Sequence, residues 1–187
     1  DNLKDKMQMQ KNFIEELENL GKKNIDDNTA KIDNLMKEVE FYIRENSGLE
    51  EDVFKYTKEQ QIVTGAGDKL VKLNNLKGKI SQRVKTITKE HEFFTKNTVC
   101  PTCTQHIEES FRLNKIEDAQ NKAKELKEGF DELESTIKFE QQRERQFNDL
   151  SKEITNLTHG ISQNNTRVSG NQRQIRDLEY EIQTITE

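Results

Sequence analysis

From Ile25 onward the inward candidates of this chain recur at alternating steps of three and four: Ile25, Asn28, Ile32, Leu35, Val39, Tyr42, Asn46, Leu49, Val53, Tyr56, Gln60 and Val63. That spacing places one continuous stripe along an α-helix and is the mark of a left-handed coiled coil. The pattern returns later, at Leu126, Phe130, Leu133 and Ile137, and again from Leu150 through Ile154, Leu157, Ile161, Asn164, Val168, Asn171, Ile175, Leu178, Ile182 and Ile185. No stretch alternates with the period of two that a half-buried strand requires. Each stripe must be covered, and composition limits what can cover it. Of 187 residues, 35% are charged and only 30% hydrophobic, and the mean hydropathy is −1.04. There is too little apolar surface for a thick core. The two stripes are therefore expected to cover each other, giving an all-α fold: a long antiparallel coiled-coil hairpin.

The hairpin needs a turn, and Val99-Cys100-Pro101-Thr102-Cys103 offers one near mid-chain, with the only proline and the only two cysteines. Proline fixes φ near −65° and lacks the N–H that a continuing helix would use. The expected organisation is an ascending helix over 1–97, a turn over 98–105 and a descending helix over 106–187. Thr104 is the expected cap of the returning helix, with Glu108 and Glu109 near the positive end of its dipole. A turn centred between Cys100 and Cys103 places residue i opposite 203−i. Breaks are expected at Gly21 and at Gly65-Ala66-Gly67, and a phase shift at Leu70, Leu73 and Leu76. A three-residue slip from Phe147 to Leu150 is a stammer, expected opposite 53–56, with Gly65–Gly67 opposite 136–138. Charge supports the pairing near the turn. Residues 68–90 carry seven Lys or Arg against two acids, and 113–135 carry seven acids against four Lys. The polar seam residues Asn28, Asn46, Gln60, Asn164 and Asn171 are expected to fix register and orientation at a cost in stability.

Chemistry is concentrated in the turn. Two thiolates spaced Cys-x-x-Cys can hold one face of a zinc ion, and structural zinc is four-coordinate, so Cys100 and Cys103 supply half a site. A second copy of the chain, bringing the same turn, would complete it around one shared ion. Two other readings stay open: a redox dithiol, and a metal-free coiled-coil scaffold with inert thiols. His106, three residues beyond Cys103, is a weak further ligand candidate. His91 reads as a seam residue and His159 as surface. No phosphate-binding glycine loop, no nucleophile with a positioned base and no paired catalytic carboxylates occur, so neither catalytic nor cofactor-binding residues are assigned and the segment is not expected to be an enzyme. The remaining acids read as solubilising charges on exposed faces. A net charge of −5 and a pI near 5.5 argue against a surface built for nucleic acid. The basic run Lys69, Lys72, Lys77, Lys79, Arg83, Lys85 and Lys89 is better explained by the facing acidic arm than by a DNA track. The absence of a long apolar run or secretory leader, with cysteines suited to a reducing compartment, predicts an intracellular, cytoplasmic protein without a membrane partner. Because the chain opens at Asp1 and the heptads continue to its other end, it is expected to be a piece of a longer coil.

A heptad arm, a Cys-Pro-Thr-Cys turn and a returning heptad arm together resemble the zinc-hook region of the Rad/SbcC family, SMC-like ATPases that partner a nuclease in DNA double-strand-break repair and recombination. The short coil looks like that of a phage member, a recombination endonuclease subunit, which would act in the host cell cytoplasm. The resemblance implies that Cys100 and Cys103 are zinc ligands and that Val99, Pro101 and Thr102 form the hook turn. It also implies that ATP, magnesium, the nuclease subunit and DNA belong to head domains absent from this segment. The implied function is a coiled-coil spacer and zinc-mediated homodimerisation module that bridges ATPase heads or DNA ends.

Overall fold

The computed structural model describes residues 2–187, and Asp1, where the first expected helix begins, lies outside them. Three helices account for nearly all of it: α1 over Asn2–Ile62, α2 over Ala66–Lys96 and α3 over Glu109–Thr186. No strand forms among the described residues, apart from a single bridge between Val99 and His106. The chain divides into two compact units, one of Asp1–Lys58 with Lys152–Glu187 and one of Glu59–Ser151.

Within the first unit the seam expected from the heptads is the contact surface. Asn46 and Asn164 are buried, at 7% and 6% exposure. Asn164 donates through Nδ2 to Asn46 Oδ1 at 3.0 Å and to Glu45 Oε2 at 2.9 Å, while Asn46 donates to Asn165 Oδ1 at 2.9 Å. Asn28 reaches Glu181 at 3.0 Å and Asn171 reaches Glu38 at 2.9 Å. Partners rise in number on α1 as they fall on α3, so the two segments run antiparallel there. An amide has two donors and one acceptor and is satisfied only in the matching register, which is how these residues specify pairing. The register itself differs from expectation, since 203−i would have put Asn46 opposite residue 157.

In the second unit the core is Leu70, Leu133 and Ile137, with Leu73 and Ile80 packed against it. The phase shift expected at Leu76 does not occur. Leu76 is 48% exposed, and the inward position belongs to Lys77, whose ammonium lies 5.4 Å from the centre of the Phe130 ring and 3.6 Å from Glu134. A lysine stem can cover apolar surface while its head finds a charge, so the heptad continues through a residue that looks polar. The complementary charge of the two arms is expressed in few direct contacts. Among the described residues, Lys77–Glu134 and Lys69–Glu140, at 3.8 Å, are the ion pairs joining α2 to α3.

Two expected breaks fare differently. α1 runs through Gly21 without interruption, because a single glycine costs a helix only about 1 kcal/mol and good helix formers surround it. Its bare Cα allows close packing, and a Cβ added there would lie 3.4 Å from Ile185 Cγ2. The chain does break between Ile62 and Ala66, where Gly65 adopts φ 87°, a left-handed conformation that favours glycine. Gly67 there lies beside Glu144, not opposite 136–138. Phe147, at the start of the stammer, lines the same cavity as Gly65 and Gly67, so the stammer faces the glycine break rather than residues 53–56.

Replacing Asn164 by Ala leaves the Asn46 amide and the Glu45 carboxylate each short of a partner, and should lower stability by about 1–3 kcal/mol. Urea unfolding followed by circular dichroism checks this, and an unchanged midpoint would show that the asparagines do not specify the seam.

Candidate metal-binding turn

α2 ends at Lys96, and Asn97 leaves the helix in an extended conformation with its N–H bonded to Phe93 O. The non-helical turn then runs over 97–108, longer than the expected 98–105. Two rungs of backbone hydrogen bonds close it. The Ile107 N–H donates to Thr98 O and the Cys100 N–H to Gln105 O, both at 2.9 Å, flanking the Val99–His106 bridge. This ladder centres the turn further along than the cysteine midpoint, so Val99 faces His106 where 203−i would give Thr104. Below it, Phe94 packs edge-on against Phe111 at 6.0 Å, and Arg112 donates to Phe94 O at 3.1 Å.

Within the loop the chain reverses over Pro101–Cys103, and the Thr104 N–H returns to Cys100 O at 2.9 Å. Thr104 has φ 61°, the one non-glycine residue of the described chain with positive φ. It is therefore not the cap of α3. That place belongs to Glu108, whose carbonyl accepts from the Arg112 N–H at 2.9 Å and whose carboxylate accepts from Ser110 Oγ at 2.9 Å. A β-branched residue in the left-handed region is strained, so the ladder must hold Thr104 against its preference. The heptad pattern carries no signal for this.

The reversal points backbone donors at sulfur. The N–H groups of Cys103, first, and Thr102, second, lower the pKa of Cys100 from the ordinary thiol range. The Cys103 side chain acts in the same direction, and partial burial of Cys100 opposes it only weakly. Donors aimed at a thiolate favour the charged form, the form that binds metals and attacks electrophiles. Cys100 is half-buried and Cys103 exposed, and neither forms a disulfide. The chemistry of the pair fits half of a tetrahedral thiolate site, with backbone N–H groups to offset its charge. No group of three or more His, Cys, Asp and Glu able to hold a metal occurs among the described residues, so neither His106 nor any acid joins the two cysteines in one chain. His91 is half-buried on the seam as expected, and His159 is exposed beside Gln163.

Comparison with protein-family models, with curated proteins and with solved structures gave no match for this chain. Among the described residues, no helix is long and apolar enough to cross a membrane.

The lowered pKa gives a pH-dependent outcome. Thiolate persists on Cys100 to lower pH than on an unperturbed cysteine, whose pKa is about 8.5. In reduced, metal-free protein, brief iodoacetamide pulses read by peptide mapping should give a Cys100 alkylation curve displaced to lower pH in the folded chain than in urea. Coincident curves would show that the turn does not orient donors at this sulfur.

Proposed function

We propose that this segment is an antiparallel coiled-coil spacer whose Cys-x-x-Cys turn joins a second copy of the chain through one shared zinc ion. The observation that carries the reading is a turn that presents two thiols, primes one of them with backbone donors and brings no third ligand to them. Zinc takes four ligands, so a two-ligand turn is completed most simply by its own twofold mate. A redox dithiol is the less favoured reading, because such motifs normally open a helix beside a βαβ unit, and the described chain has three helices and no strand.

On this reading the coil is a mechanical part and carries no reaction. Its role is that of the zinc-hook segment of a Rad/SbcC-type, SMC-like ATPase, tethering ATPase heads or DNA ends in double-strand-break repair and recombination, in a phage within its host. ATP, magnesium, the nuclease subunit and DNA would engage other parts of such a protein. Cys100 and Cys103 are the ligands, and Val99, Pro101 and Thr102 shape the loop that presents them.

Metal analysis combined with sedimentation tests the proposal. The dimer should hold about 0.5 zinc per chain, as one four-coordinate ion shared by two chains requires. Replacing Cys100 or Cys103 by Ser should remove the zinc and halve the mass while helicity stays, since the seam contacts do not involve the turn. A Ser variant that remains dimeric with a full complement of zinc would overturn the shared site. A wild-type protein without zinc would leave the redox or scaffold reading.

A further inference from the structure

A helix that stops leaves its last carbonyls without amide partners, and a helix that starts leaves its first amides bare. Both situations meet between Ile62 and Ala66, and the junction residues close them only in part. The Val63 N–H and the Thr64 hydroxyl both turn back to Gln60 O, at 3.1 and 3.0 Å. Gly65, at the cap position of α2, has no side chain to offer.

One further closure comes from Arg143 of α3, and two acids of the same helix, Glu140 and Glu144, lie beside it. Arg143 donates through Nη2 to Ile62 O, at the end of α1, at 3.1 Å. Its Nη1 donates to both carboxylate oxygens of Glu140, at 3.0 and 2.8 Å. Glu140 is only 5% exposed, which corrects the expectation that the acids lie on solvated faces. Its carboxylate also lies 3.8 Å from the ammonium of Lys69, in the first turn of α2. Glu144 lies against Gly67, so close that a Cβ on that glycine would fall 3.0 Å from Oε1. A carboxylate there suits the positive end of the α2 dipole. Beside this cluster is a cavity of about 230 Å³, lined in part by Val63, Gly65, Asp68 and Phe147.

We infer that the α1–α2 junction is a latched joint. Glu140, Arg143 and Glu144 hold two helix ends that the chain itself leaves unjoined, and releasing Arg143 frees the junction while the pairing around it holds. Charged groups at seam positions are a costly way to fill a core. Well-packed apolar residues in their place are often neutral or more stabilising. The clasp therefore provides little cohesion but specific closure, with space into which the junction can move. A guanidinium is suited to this place because its planar fork reaches a carboxylate and a carbonyl together, which a lysine ammonium cannot do in the same geometry.

Hydrogen exchange read by mass spectrometry on the whole 187-residue chain tests the latch. In Arg143→Ala, amides over residues 59–69 should exchange about tenfold faster or more, while those over 84–94 and 115–130 keep their wild-type rates, because local opening is separable from global unfolding. Arg143→Lys keeps a cation near buried Glu140, so it protects against wholesale unfolding, and it should show the same local acceleration. Unchanged exchange at 59–69 in both variants overturns the inference. So does acceleration spread evenly over 59–151, which would make the clasp a general stabiliser and not a latch.

Discussion

Everything in this protein depends on a narrow apolar seam that one helix cannot bury alone. Helices of 61, 31 and 78 residues in a chain that is 35% charged bury apolar surface only where their stripes meet. The buried hydrophobic residues are correspondingly few, and each is an inward heptad position: Leu70, Ile87, Leu133, Ile137, Leu150 and Ile175 among them. Since the seam is thin, its polar members matter. The Asn46–Asn164 pair contributes less cohesion than leucines would, and in exchange admits one register.

The same economy explains the junction and the turn. A continuous seam allows no local freedom, so departures from regular helix must be closed by specific contacts. At Ile62–Ala66 those contacts are charged side chains reaching across from α3. At 97–108 they are backbone rungs that hold Thr104 at φ 61° and leave two N–H groups aimed at Cys100. In the second case the closure creates chemistry, because donors that organise the loop also favour thiolate. The proposed zinc bridge uses the turn for what the coil cannot supply, an attachment between chains that leaves the seam intact.

Much of this was legible in the residues. The inward positions from Ile25 to Val63 follow the three-four alternation, the end of α2 falls at Lys96, and the glycine break lies where two glycines flank an alanine. What periodicity could not reveal was which charged residues occupy seam positions. Lys77, Glu140 and Arg143 look like surface residues until a partner helix supplies Phe130, Glu134 and the Ile62 carbonyl. Register failed for a related reason. The expected register rests on the cysteines, whereas the rungs are set by Thr98, Cys100, Gln105 and Ile107, and backbone pairing has no signature in a heptad. Gly21 misled because glycine's cost is small against the packing of a long helix.

The turn is proposed to offer half of a metal site, with a second copy offering the other half. X-ray absorption at the zinc edge of the purified protein tests it most directly, because it counts the atoms bound to the metal. A site shared by two chains requires four sulfur neighbours per zinc at about 2.3 Å, twice what one chain contains within reach. Two sulfurs with nitrogen or oxygen donors would mean that a single chain completes its own site, and would contradict it.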